Sequence, residues 1–243
     1  MTLRYYNNLA YYEIGEENSE TILFLHAKLL DKWIWKKQKE DYDKYFKGFH
    51  CIFLDLPNHG DSKSEEEFSI EKSSIEISEF IAHILNHKDI KKINIVALGI
   101  GGSIAIEILN EKSDIFITKA YLRYFGISKE HYNDVERILD ISISDERKIA
   151  FESLNYTIPE SLKNNENTIE KDNVLIIYGS KEDLNCTKSA IDLKNIFTNA
   201  KLVEIIKGNH LWNIIDYELF NTTISDFIKS GNIGENPKIR ILE

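Results

Sequence analysis

Residues 93–106 combine an apolar, strand-like run with a glycine-rich turn and a helix-like continuation, an arrangement that presents catalytic nucleophiles. Such a turn needs small residues two positions before and after the nucleophile, and Ala97 and Gly101 stand there. Between them is Gly99, which adopts the required positive φ without steric cost. Glycine carries no hydroxyl, thiol or carboxylate. Ser103 cannot replace it, because four residues on it lies one turn inside the predicted helix.

The same turn has two other interpretations, tight packing of a strand against a helix and a cradle for a phosphate group. The spacing of Gly99, Gly101 and Gly102 lacks the third glycine of the phosphate-binding pattern. Asp114 follows too closely to act as a ribose-binding carboxylate, which is expected about 20 residues on. The phosphate interpretation is therefore weakened, and tight packing alone stays open.

Composition limits the possible classes of protein. A chain of 243 residues fits one α/β domain, here residues 1–243, that buries a core without disulfides. Its two cysteines are far apart, so we predict neither a disulfide framework nor a metal site. We also predict no cofactor. A formal net charge of −10 argues against nucleic acid as a partner. No apolar run reaches signal or membrane-span length, so we predict a cytoplasmic protein without membrane contact; its oligomeric state is left open.

Short apolar runs alternate with amphipathic stretches, which predicts an α/β fold: a mostly parallel sheet with helices on both faces. Two helices are clearest, at residues 70–87 and 187–197. The sequence of residues 128–170 is charged and typical of helices, and the segment is too long for a simple crossover and too short for a second domain, so we predict a small helical lid there. An N-terminal hairpin and six further strands are predicted at residues 3–6, 10–14, 21–26, 50–56, 92–98, 117–125, 173–178 and 201–206.

Two polar turns follow the last two predicted strands. One runs from Gly179 to Asp183 and the other from Lys207 to His210. Functional residues of parallel sheets usually lie in the loops at the carboxyl ends of the strands. An Asp and a His that follow the glycine turn also match the chain order nucleophile, acid, base. Alone, each has an ordinary explanation, since such an Asp usually caps a helix and a loop His is usually solvated. Their joint placement favours an acid–base pair.

With these motifs the chain resembles the α/β-hydrolase-fold superfamily, in its compact, lid-bearing form, over nearly its whole length. The loop from Asp55 to Ser62 is the most specific match, because His59-Gly60 and Ser62 fall in register with the family pattern. The chain departs from the family in having Ala27, Asn58 and Ala97 for glycine, and Gly99 for serine. The other matching segments are His26-Ala27-Lys28, Ala97 to Gly102, Gly179 to Asp183 and Gly208-Asn209-His210.

The resemblance implies a role for each matched site residue. Gly99 takes the position of the nucleophile, His210 is the general base, and Asp183 fixes the tautomer of His210. The backbone N–H groups of Lys28 and Ile100 form the oxyanion hole.

The resemblance also implies a substrate pocket, for which His26, Ala27, Trp33 and Trp212 are candidates. The tryptophans, with Trp35, have a competing explanation, because aromatic residues near a lid more often serve only packing.

Three functions follow. The first is a hydrolase of a small ester, amide, thioester or C–C bond, in which Gly99 is either an engineered change or part of an altered mechanism. Lyase- or oxygenase-like chemistry, with His210 acting on an acidic substrate proton, is an alternative for the same site. The second is a non-catalytic pseudo-hydrolase that binds a small molecule or a protein. The third is a scaffold that uses its lid for protein contacts. Retention of both Asp183 and His210 favours the first, since nothing structural demands that pair once the nucleophile is lost.

Overall fold

The computed structural model describes residues 2–27, 30–63, 67–87, 92–111, 117–123, 173–182, 184–209 and 211–242. Within these ranges the strands are β1 (Arg4–Tyr6), β2 (Leu9–Ile14), β3 (Glu20–Leu25), β4 (His50–Leu54), β5 (Lys92–Leu98), β6 (Ile117–Arg123), β7 (Val174–Gly179), β8 (Lys201–Ile205) and β9 (Ile239–Leu242). They form one sheet in the order β1-β2-β4-β3-β5-β6-β7-β8-β9.

The sheet is parallel at its centre and antiparallel at both edges. β1 pairs antiparallel with β2, β2 with β4, and β9 with β8, whereas every other neighbouring pair is parallel. The predicted mostly parallel sheet with an N-terminal hairpin is therefore confirmed. Because the central strands are parallel, their carboxyl ends lie at one edge of the sheet, where the loops that follow them meet.

The central strands are buried on both faces. Successive side chains of β3 point to opposite sides, so Leu23 joins a core cluster with Phe80 while Phe24 joins a second cluster with Trp35. Both faces are covered, which is why these strands read as continuous apolar runs rather than alternating ones.

The helices cover the two faces of the sheet. A 3₁₀ turn (Lys32–Trp35) leads into α1 (Lys36–Glu40) and α2 (Tyr42–Tyr45), and the remaining described helices are α3 (Ile70–His87), α4 (Ile100–Glu111), α5 (Leu184–Ile196), α6 (Trp212–Ile215) and α7 (Tyr217–Ser230).

Helix α3 has the bounds that its apolar spacing predicts, but one isoleucine of that pattern faces solvent. Ile77, Ile81 and Ile84 are buried, whereas Ile75 is 52% exposed. Ile75 lies two residues before Ile77 and is rotated by roughly 200° around the helix, so it points away from the sheet.

Strand β9 was not predicted. It extends the sheet beyond β8, and Arg240 donates to the Glu204 carboxylate across the pair at 2.7 Å. A four-residue edge strand with an exposed Arg240 has only a weak apolar pattern, which explains why the sequence did not reveal it.

Several predictions lie outside the described residues: the lid at 128–170, and Lys28, Asp183 and His210. The assignment of residues 1–243 to a single domain with a lid accordingly stays a prediction. None of the helices in the described ranges is long and apolar enough to cross a membrane.

Candidate active site

Gly99 forms a one-residue turn between a strand and a helix. β5 ends at Leu98, α4 begins at Ile100, and Gly99 has a φ of +53°. Its carbonyl accepts hydrogen bonds from the N–H groups of Gly102 at 2.9 Å and Ser103 at 3.2 Å, which close the first turn of α4. Any residue with a side chain would be strained at this φ, whereas glycine is not.

The start of α4 lies directly against the end of β3. A Cβ atom on Gly101 would lie 2.7 Å from the His26 carbonyl oxygen and 2.8 Å from that of Leu25. Both neighbours are backbone atoms, so they cannot rotate away, and only glycine fits. Ala97 is fully buried on the other side of the turn. Close backbone contact thus explains why residue 101 is glycine. Ser103, one turn into α4, is 1% exposed.

The His26 side chain holds its own loop in place. Its Nε2 accepts a hydrogen bond from the Leu56 N–H at 2.9 Å, so the ring proton resides on Nδ1, which donates to the Ala27 carbonyl at 2.7 Å. His26 is fully buried and Ala27 is 3% exposed. The imidazole is therefore a neutral connector between the segment after β3 and the loop after β4.

The loop from Asp55 to Ser62 is tightly hydrogen-bonded. Ser62 donates through Oγ to the Asp55 carbonyl at 2.8 Å and accepts from the Ala10 N–H at 2.8 Å. Gly60 has a φ of +53°, and a Cβ there would overlap the Asp55 carboxylate. Asn58 also has a positive φ, of 61°, a conformation that asparagine tolerates better than most residues.

A buried ion cluster behind this loop was missed in the sequence. The Lys32 ammonium lies 2.5 Å from the Asp55 carboxylate and 2.7 Å from that of Asp61, with a side chain that is 1% exposed. Asp55 also accepts from the backbone N–H groups of Lys32 at 2.7 Å and Asp61 at 2.8 Å. Burial alone would lower the pKa of Lys32, but its hydrogen bonds to both carboxylates outweigh burial and raise that pKa above its ordinary value.

The two turns predicted to carry the acid and the base pack against each other. The Ser180 N–H donates to the Ile205 carbonyl and the Lys181 N–H to the Gly208 carbonyl, both at 2.9 Å. A Cβ on Gly179 would overlap the Gly208 carbonyl. These contacts hold the turns after β7 and β8 together, immediately before Asp183 and His210, which themselves lie outside the described residues.

The tryptophans proposed for the pocket are in three different environments. Trp33 is 42% exposed, with the Lys39 ammonium 4.7 Å from its ring centroid. Trp212 is 1% exposed and stacks edge-on against Phe220, with ring centroids 4.9 Å apart. Trp35 is fully buried. Packing therefore accounts for Trp35, while the pocket roles of Trp33 and Trp212 stay predictions.

Over the ranges given above, no group of three or more His, Cys, Asp or Glu side chains is placed to hold a metal ion. The two cysteines are buried, and burial raises the pKa of the Cys51 thiol, which keeps it protonated.

Comparison with known proteins agrees with this geometry. Residues 20–116 match the family model described as alpha/beta hydrolase fold. Similar solved structures include MGS-MChE2, an alpha/beta hydrolase enzyme from a lagoon-sediment metagenome (TM-score 0.66, 18% identity, covering 95% of this chain and 99% of that one). MenH from S. aureus is also similar (TM-score 0.65, 19% identity, covering 92% of this chain and 98% of that one). So is the Pyrococcus furiosus esterase Pf2001 (TM-score 0.66, 16% identity, covering 93% of this chain and 88% of that one). No curated protein matches. The chain has the α/β-hydrolase fold.

Proposed function

We propose that this protein is a member of the α/β-hydrolase superfamily that hydrolyses a small-molecule ester, amide, thioester or C–C bond, with Gly99 at the nucleophile position. The turn at Gly99 carries the proposal. Tight packing alone accounts for Gly101, whose missing side chain admits the His26 carbonyl. Tight packing does not account for the positive φ at Gly99, the residue in the turn between β5 and α4 where this kind of fold places a nucleophile.

In the proposed mechanism a water molecule occupies the space of the missing serine hydroxyl beside Gly99. His210, oriented by Asp183, accepts the water proton while the water oxygen attacks the carbonyl carbon. The backbone N–H groups of Ile100 and Lys28 stabilise the oxyanion. The bond to the leaving group then breaks, and the proton on His210 passes to that group.

Ile100 suits the role of oxyanion donor because it is the first residue of α4. The first N–H groups of a helix have no acceptor within it, and they carry the positive end of the helix dipole. Without a covalent intermediate the reaction is slow, since losing the nucleophile of such a site costs several orders of magnitude in rate.

The proposal is tested by comparing Gly99→Ser with Gly99→Ala on short activated esters. Both variants place a side chain at the same strained φ, but only serine adds a hydroxyl. The unmodified chain should hydrolyse at or barely above background, Gly99→Ser at least about a hundredfold faster, and Gly99→Ala no faster. Adding His210→Ala should remove the gain. A folded Gly99→Ser variant without any gain would contradict the proposal.

The absence of a side chain at Gly99 itself favours one alternative, a non-catalytic protein that binds a small molecule or a protein partner. Without selection for catalysis, substitutions accumulate among the pocket residues, so Gly99→Ser would not restore hydrolase activity. Tight binding of a ligand by the unmodified chain, together with an inert Gly99→Ser variant, would establish this alternative.

A further inference from the structure

A cavity of about 420 Å³ lies at the edge of the sheet between the end of β8, helix α6 and the turn before β9. The backbone holds its walls together, because the Ile206 N–H donates to the Lys238 carbonyl at 2.8 Å. None of its lining residues belongs to the Gly99 turn or to the segment after β3. The lining is Ile205, Ile206, Lys207, Gly208, Asn209, Trp212, Ile215, Asp216, Pro237 and Lys238.

Much of the lining is apolar. Ile205 and Trp212 are each 1% exposed, so they are fixed parts of the core at this edge. Ile215 is 46% exposed and presents a large hydrophobic side chain to solvent, and Pro237 also lines the cavity. The volume falls within the roughly 300–1,000 Å³ typical of small-molecule sites. An apolar group of modest size therefore finds matching surface here.

Three charged side chains line the cavity: Lys207, Asp216 and Lys238. Asp216 is paired with the Lys238 ammonium at 2.5 Å, so these two neutralise each other. Lys207 is exposed, and no carboxylate in the described part of the chain pairs with its ammonium.

Lys207 also has a backbone conformation that does not suit it. Its φ is +59°, in the region that favours glycine. The strain persists because the turn is fixed: the Lys207 N–H donates to the Ser180 hydroxyl oxygen at 2.8 Å, and the next residue is glycine. Residues held in strained backbone conformations cluster at functional sites, so the positive φ marks Lys207 as a candidate ligand-binding residue.

We propose that this cavity binds a small carboxylic acid with an apolar chain. The carboxylate pairs with the Lys207 ammonium, and the chain lies against Ile215 and Pro237. A single ammonium matches a monovalent carboxylate better than a phosphate, which is bound by several converging donors. The site shares Trp212 and the Gly208-Asn209 turn with the proposed hydrolase centre but contains no residue of the Gly99 turn, so its occupancy does not depend on Gly99.

The test is calorimetric titration of the unmodified chain with octanoate, with 1-octanol as a neutral ligand of similar apolar length. Octanoate should bind saturably, and octanol at least about tenfold more weakly. Lys207→Glu and Ile215→Asp should each weaken octanoate binding by about tenfold or more. The matched control is Lys92→Glu. Lys92 is an exposed lysine at the start of β5, the opposite end of the sheet, and its replacement should leave the affinity unchanged.

A further variant separates binding from folding. Lys207→Gly relieves the positive φ, so it should raise or preserve the unfolding temperature while weakening octanoate binding as much as Lys207→Glu does. The proposal is overturned if the unmodified chain shows no saturable binding of octanoate at millimolar concentration. It is equally overturned if octanol binds as well as octanoate, or if both Lys207 variants keep the original affinity.

Discussion

Replacing Lys32 by methionine should destabilise the protein by about 3 kcal/mol, because it leaves a buried carboxylate without its counter-ion. The Lys32 side chain is 1% exposed and that of Asp55 is fully buried. Methionine fills a similar volume, so the cost is electrostatic rather than a cavity. Breaking a buried pair costs roughly 3–5 kcal/mol. The cost of Lys32→Met is expected at the low end of this range because Asp55 keeps two backbone N–H donors, from Lys32 and Asp61.

The assay is urea unfolding, in which Lys32→Met lowers the midpoint without changing the slope. Asp61→Asn is the matched control. The Asp61 side chain is 49% exposed, and exposed pairs contribute only about 0–1 kcal/mol. In the double variant Lys32→Met/Asp55→Asn the losses should be less than additive, since no unpaired buried charge remains. A loss below about 1 kcal/mol for Lys32→Met would refute the reasoning, because it would equal that of an exposed pair.

The pH dependence has a definite sign. The pKa of Lys32 is raised in the folded state, so its contribution to stability is complete below its unfolded pKa, near 10.5, and is lost as the pH rises through the higher folded value. The stability difference between the unmodified chain and Lys32→Met should therefore be constant through neutral and mildly alkaline pH and shrink only above about 10.5. A stability difference between the two proteins that already shrinks near neutral pH would contradict the raised pKa of Lys32.

Two further changes are predicted to destabilise the loops around the candidate site, both measured by urea unfolding. Gly101→Ala places a Cβ 2.7 Å from the His26 carbonyl and should cost about 1–3 kcal/mol; a neutral effect would mean that α4 moves freely against β3. Ser62→Ala removes the acceptor for the Ala10 N–H and the donor to the Asp55 carbonyl and should also cost about 1–3 kcal/mol, whereas Ser62→Thr should retain part of the stability if the added methyl group fits.

The strands were the most predictable part of the fold. β5 has the predicted bounds, and the other predicted strands within the described ranges agree within one or two residues, because buried parallel strands read as unbroken apolar runs. Helix α5 begins at Leu184, three residues before the predicted start. Leu184 is 87% exposed, so the first turn of this helix has no apolar periodicity to reveal it.

The candidate site was predictable only in part. The glycine turn and the Asp55 loop are local in sequence, so their motifs are visible in a single chain. The cluster joins Lys32 to Asp55, which is 23 positions further along the chain, and to Asp61, which is 29 positions further. No sequence periodicity connects these residues. One signal was available, because a buried Asp55 in a fixed loop requires a cation or several donors. Which cation supplies the charge depends on how the 3₁₀ turn from Lys32 to Trp35 packs against β4.

The measurement that tests the central claim most directly is the covalent labelling of Gly99→Ser by a fluorophosphonate, read by intact mass and by peptide mapping. If Gly99 stands at the nucleophile position of an otherwise complete site, one adduct should form, on the residue introduced at position 99, and Gly99→Ala should form none. Adding His210→Ala should abolish it, because an unassisted serine is a poor nucleophile at neutral pH. A folded Gly99→Ser variant that stays unlabelled, or is labelled equally without His210, would contradict the claim.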